Sequence, residues 1–157
     1  MDSSKNDLIT RAAFEAAFAE ARLAFAEDEV PVGAVIVCNG EIVTRQRNRI
    51  VQWHEPTAHA ELLAIRSAAR ELGNERLVNC ALYTTLEPCT MCSGAAILAR
   101  LAEIHFLAEE LRLPAWQQIC SLPGFNHYPV WQKHDYAHLP ASELLREFFQ
   151  RKRSQPK

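Results

Sequence analysis

Two cysteines three positions apart, in Pro88-Cys89-Thr90-Met91-Cys92, and a histidine with a glutamate two positions on, in His59-Ala60-Glu61, are the residues of this chain best suited to chemistry. The cysteine pair stands at a predicted helix start, which puts both sulfurs on one face of the first turn. The unpaired N–H groups and partial positive charge of a helix N-terminus lower thiol pKa, so the thiolates that zinc needs form near neutral pH. Cys89 and Cys92 are then half of a tetrahedral zinc site, and His59 can supply a third ligand. Three protein ligands leave the fourth position to water, whose pKa the metal lowers towards neutrality. Glu61 is left as the carrier of the proton that this water gives up.

Each of these residues also has a plainer reading. Cysteine pairs at this spacing occur in structural zinc sites, but those need a fourth protein ligand, and Cys38, Cys80 and Cys120 read as isolated. A lone His59 would be an ordinary helix-start histidine, and Glu61 an acid favoured by the helix dipole. Asn48 reads equally as a turn residue or as an amide offering a donor and an acceptor to a base edge. Val30, Pro31 and Val32 could wall a flat ring or simply begin a core strand. Glu87 could bond backbone N–H groups beside the cysteine turn.

The elements that must position these residues follow from periodicity. Leu8 to Asp28 has an amphipathic helical pattern through Ile9, Ala13, Phe14, Ala17, Phe18, Ala21 and Phe25, capped by Asn6 or Asp7. Pro31 to Cys38 reads as a strand, Asn39-Gly40 as a hairpin turn, and Glu41 to Arg47 as the returning strand. A loop from Asn48 to Pro56 leads to a helix capped by Thr57 and stopped at Gly73, with His59 and Glu61 in its first turns. Ala81 to Leu86 is a buried strand, Cys89 to Ala99 a helix, and Glu103 to Leu107 a strand parallel to the one before. Beyond it, 109–121 suggests a short helix broken at Pro114, 129–137 a last strand, and Pro140 to Arg153 a final helix with a Leu144, Leu145, Phe148, Phe149 stripe. This order predicts an α/β fold, a three-layer αβα sandwich on a mixed sheet, with residues 1–157 as one domain. The 157 residues, 48% hydrophobic and 23% charged, suit a globular chain with a core of its own, and a net charge of -2 confines any nucleic-acid surface to a local patch. No stretch suits a membrane span, the start lacks a signal-peptide layout, and five cysteines with two in a metal spacing fit a reducing compartment, so the expected location is the cytoplasm.

An H-x-E segment followed by P-C-x-x-C is the signature spacing of the zinc deaminases of nucleobases. The chain resembles the cytidine-deaminase-like superfamily, and within it the bacterial tRNA-specific adenosine deaminases. The similarity runs through Val30-Pro31-Val32-Gly33-Ala34-Val35, Pro56-Thr57-Ala58-His59-Ala60-Glu61 and Thr85-Leu86-Glu87-Pro88-Cys89-Thr90-Met91-Cys92, and resumes at Pro123 to His127 and Phe148 to Arg153. The resemblance implies five strands between helices, a homodimer, one zinc on His59, Cys89 and Cys92, Glu61 as proton shuttle, and base contacts from Asn48 and the Ala60 backbone. It also implies that the last helix helps hold a tRNA anticodon loop, through Phe149, Arg151, Lys152 and Arg153, although a solvated chain end predicts the same basic residues. The segment from Ala108 to Trp116 departs from the family's small-residue loop: Glu109 and Glu110 would repel a polyanion, and Trp116 could stack on a base or fill core.

In that chemistry the water attacks a ring carbon bearing an amine, while Glu61 takes its proton, returns one to the ring nitrogen and helps ammonia leave. Three readings follow. The first is adenosine-to-inosine conversion at the tRNA wobble position. The second is deamination of a free base or nucleoside of guanine or cytosine type. The third is a non-catalytic subunit that binds RNA.

Overall fold

The computed structural model describes residues 3–110, 116–119 and 121–155. Its elements are α1 (Ser3–Ala26), β1 (Gly33–Cys38), β2 (Glu41–Arg47), α2 (Ile50–Trp53), α3 (Ala60–Glu71), β3 (Cys80–Leu86), α4 (Thr90–Leu98), β4 (Glu103–Ala108), α5 (Trp116–Ile119), β5 (Val130–Lys133) and α6 (Ala141–Ser154). One five-stranded sheet runs β2-β1-β3-β4-β5. β1 is antiparallel to β2 and β3, whereas β3, β4 and β5 are mutually parallel, so the sheet is mixed as the sequence predicts. Among the described residues no helix is long and apolar enough to cross a membrane.

Alternation along the strands sorts the core into two layers. Ala34, Ile36, Leu82 and Ile104 pack with Ala64, Ala68 and Ala96 of α3 and α4. Val35, Val37, Tyr83 and Leu107 pack on the other face with Ala13, Phe14 and Ala17 of α1 and with Ala141 of α6. The small residues of α1 bring its backbone onto β1. A Cβ on Gly33 would lie 1.9 Å from the Ala17 carbonyl oxygen, so this contact requires glycine. The hairpin turn has Asn39 at φ 52° and Gly40 at φ 80°, a pair of left-handed residues that matches the twist of the flanking strands.

The structure differs from the sequence reading in several places. α1 starts at Ser3, so Asn6 and Asp7 lie inside the helix instead of capping it, because nothing from Ser3 onwards breaks the helix. Within the expected loop, α2 forms a short turn held by a distant residue: the Glu29 carboxylate accepts the Gln52 N–H at 2.7 Å. Thr57 does not cap α3. Its hydroxyl donates to Glu55 Oε1 at 2.8 Å, and His59 takes the N-cap position. Pro140 likewise precedes α6. Cys38 and Cys80 are disulfide-bonded and not isolated, since they face each other in the β1/β3 register despite a sequence separation of 42. The expected break at Pro114, and Cys120, lie outside the described residues.

Candidate active site

Cys89 is the N-cap residue of α4 as His59 is of α3, and neither side chain makes a capping hydrogen bond. Ser, Thr, Asp or Asn is usual at that position, and doing without one costs about 1 kcal/mol per helix. Both side chains are thereby left to face each other where the helix starts converge. His59 Nδ1 lies 3.7 Å from Cys89 Sγ, and the ligand atoms of His59, Cys89 and Cys92 are all within 4.8 Å of one another. Tetrahedral coordination at ordinary zinc–sulfur and zinc–nitrogen lengths separates such ligand atoms by about 3.6 to 3.8 Å, so the donor set and spacing fit zinc. The two thiols differ as neighbours sharing protons must. A hydrogen bond from Cys92, and a further one from His59, lower Cys89 to about 4. Cys92 is fully buried and is pushed up by its bond to Cys89 and by desolvation, so the helix start alone does not set both pKa values. Bonding to Cys89 raises the His59 imidazole above its usual value.

Glu61 lies in the first turn of α3, 3% exposed, and burial pushes its carboxyl up to about 7, the range in which a group can both accept and return a proton. Its carboxylate and the His59 and Cys89 side chains line a cavity of about 330 Å³. Val30, Val32 and Ile50 give that cavity an apolar side, and Asn48 a polar one. Asn48 is buried at 4% exposure, and its Oδ1 accepts the Ala60 N–H at 2.8 Å. The Ala60 amide therefore fixes the orientation of the Asn48 side chain at the cavity wall. Leu86, Glu87, Glu110 and Phe149 complete the lining. Local periodicity carries no signal for Ile50 or Leu86 as wall residues, because α2 and the end of β3 reach the cavity only through tertiary packing.

The outlying residues resolve differently. Glu87 Oε2 accepts a backbone N–H, as the sequence suggests, but that of Glu110 at 3.1 Å, so it ties the residue after β3 to the segment that follows β4. Glu109 pairs with Lys133 at 3.0 Å. Trp116 stacks on Trp131 at 4.5 Å with an 11° interplanar angle, a pair of half-buried rings in which one face of Trp116 is taken by protein. Arg151 and Lys152 are both paired with Asp28. Arg153 lines a second cavity of about 410 Å³ with Arg146, Glu109 and Leu145. This second cavity adjoins the first at Leu86, Glu110 and Phe149, the residues common to both linings. Residues 111–115 of the atypical segment lie outside the described residues.

Comparison with known proteins gives this geometry a family. The chain is 43% identical over 141 residues to a tRNA-specific adenosine deaminase of Aquifex aeolicus, a match covering 88% of this chain and 92% of that protein. A solved structure from work on A-to-I editing by tRNA deaminases at the wobble position of transfer RNA has a TM-score of 0.76 and 39% identity, over 79% of this chain and 98% of that one. The guanine deaminase of Bacillus subtilis has a TM-score of 0.62 at 29% identity, over 94% and 95% of the two chains. The family model for the cytidine and deoxycytidylate deaminase zinc-binding region spans residues 9–108. The chain therefore belongs to the cytidine and deoxycytidylate deaminase zinc-binding family and is a zinc-dependent hydrolytic deaminase.

Proposed function

We propose that the protein deaminates adenosine to inosine at the wobble position of tRNA. The observation that carries this reading is the likeness to tRNA-specific adenosine deaminases along 88% of the chain. The groove beside the catalytic cavity carries Arg146 and Arg153, cations that flanking phosphates need, together with Glu110 and with Glu109, whose charge Lys133 offsets. In this reading His59, Cys89 and Cys92 hold zinc, which supplies a Lewis acid able to activate water near neutral pH. Glu61 would accept one proton of that water and deliver it to the purine ring nitrogen, then take the remaining proton of the added hydroxyl as the C–N bond breaks and pass it to the amine, which leaves as ammonia. Asn48, its Oδ1 fixed by Ala60, presents its amide to the base edge, and Val30, Val32 and Ile50 take the ring. Phe149 covers the base or its neighbour.

Incubating the purified protein with tRNA of its host that carries adenosine at the wobble position, then sequencing that position, tests the assignment. Inosine there is the expected result. Ammonia release from free guanine or cytosine with no inosine formed would establish the second reading, which the 29% identity to a guanine deaminase favours.

The protein acts as a single-domain homodimer in the cytoplasm, where tRNA is found. Leu98, Leu122 and Tyr128, exposed on α4 and on the segment packed against it, supply apolar surface for a second copy; light scattering at the mass of one chain would contradict it. Cytosolic thiols are kept reduced, so the state of the Cys38–Cys80 pair in cells tests the location. Counting alkylatable thiols in acid-quenched cells decides that point: a reduced pair fits the cytoplasm and a bridged pair does not.

A further inference from the structure

The cations that end α6 do not share one environment. The Arg151 guanidinium lies 4.4 Å from the centroid of Phe25 and 5.8 Å from that of Phe148. Its Nη2 donates to the Phe25 carbonyl at 3.3 Å and to Asp28 Oδ1 at 3.2 Å, while its Nε is buried without a partner. Lys152 donates to the other carboxylate oxygen of Asp28 and sits 5.6 Å from the Phe148 ring. An isolated exposed ion pair contributes little. Here one carboxylate engages two cations, an aromatic face meets the guanidinium, and the carbonyl accepting from Arg151 belongs to the last turn of α1, where positive charge is favoured.

Asp28 follows the end of α1 and stands two residues before Val30, a wall of the catalytic cavity. Phe149, next to Phe148 in α6, is another wall. A single carboxylate therefore ties together two segments that enclose the substrate space. We propose that Asp28 is a positioning residue for the catalytic cavity: by gripping Arg151 and Lys152 it holds α6 on the end of α1 and keeps Phe149 in the wall. The inference rests on the reading of this cavity as the substrate site. Phosphate contact from α6 then falls to Arg146 and Arg153, and Arg151 and Lys152 are spent on the fold.

Asp28→Asn tests this cleanly. Asp28 has φ 64°, a left-handed conformation that asparagine adopts as readily, so the turn is kept and only the charge is removed. Amide exchange across 141–154 should quicken by about tenfold in the variant, with 60–71 and 90–98 unchanged. KM for an RNA hairpin with adenosine at the wobble position should rise about tenfold, with kcat and zinc content held. Unaltered exchange and KM would reduce the contact to a surface pair and overturn the proposal. Tighter tRNA binding, with a salt dependence steeper by about 0.7 to 0.9 per released cation, would overturn it too by making Arg151 and Lys152 phosphate ligands restrained by Asp28. Exchange is read without RNA, so a wild-type protein inert on RNA would remove the substrate reading and leave this test standing.

Discussion

His59, Glu61, Cys89 and Cys92 stand at the starts of two helices, whereas the cavity walls Val30, Ile50, Leu86 and Phe149 come from four separate parts of the chain. The first group is positioned by short-range geometry. A helix start fixes the offset between His59 and Glu61, and another fixes that between Cys89 and Cys92. The second group is positioned by contacts spanning much of the sequence, such as Glu29 with Gln52 and Asp28 with Arg151. Chemistry is thus built on local spacing and recognition on tertiary packing, and substitutions in the two regions should fail in different ways.

The largest effect is expected at the helix starts. Glu61→Gln should keep its zinc and lose turnover by about 10² to 10⁴, since proton transfer by a placed carboxylate contributes that much. Single-turnover rates beside metal analysis check it, and loss of zinc would show that Glu61 is a ligand. A mixed effect is expected at Asn48, which touches both regions. Asn48→Ala leaves the buried Ala60 N–H without its acceptor, a penalty of about 1 to 3 kcal/mol, and should lower kcat/KM by roughly tenfold to a hundredfold. Phe149→Ala should act on recognition alone, raising KM by about tenfold or somewhat more with kcat held; an equal fall in kcat would move Phe149 into the chemical step.

The smallest effect separates the two faces of the sheet by pH. Opposite the cysteines, His105 Nδ1 is 3.0 Å from His134 Nε2, His105 Nε2 is 2.9 Å from Glu103 Oε2, and Tyr83 stacks on the His105 ring. Burial holds both imidazoles below their ordinary values. The unfolded chain therefore takes up these protons at higher pH than the native one. Their contribution to stability is intact above about pH 6.5 and is lost as pH falls through the lower native values. Urea midpoints between pH 8 and 5 should decline on the acid side, and His105→Gln should flatten part of that decline. An unchanged slope would free this face of the role.

The same division explains what could be read without a structure. The strands, the Asn39-Gly40 turn, the parallel step from β3 to β4 and the spacings within His59–Glu61 and Cys89–Cys92 all follow from periods and offsets within short windows, whereas the meeting of His59 with Cys89 is tertiary. α2 could not be read, because its turn is held by Glu29 from the far side of the β1–β2 hairpin. The Cys38–Cys80 bridge depends on β1 lying beside β3, a pairing that no local pattern specifies. The tail from Arg151 to Arg153 looks uniformly cationic as a string, and only the packing of α6 on α1 separates two anchored cations from the one that faces the groove. Trp116 was ambiguous until Trp131 stood beside it. His59 and Cys89 were legible as ligands for a reason the caps reveal: each occupies a helix start that it does not stabilise.

X-ray absorption at the zinc edge of the native protein tests the central claim most directly. The account predicts one zinc per chain with two sulfurs at about 2.3 Å, one imidazole nitrogen at about 2.0 to 2.1 Å and one exchangeable light atom from solvent. A shell closed by a third sulfur or a second imidazole, with no solvent ligand, would contradict it.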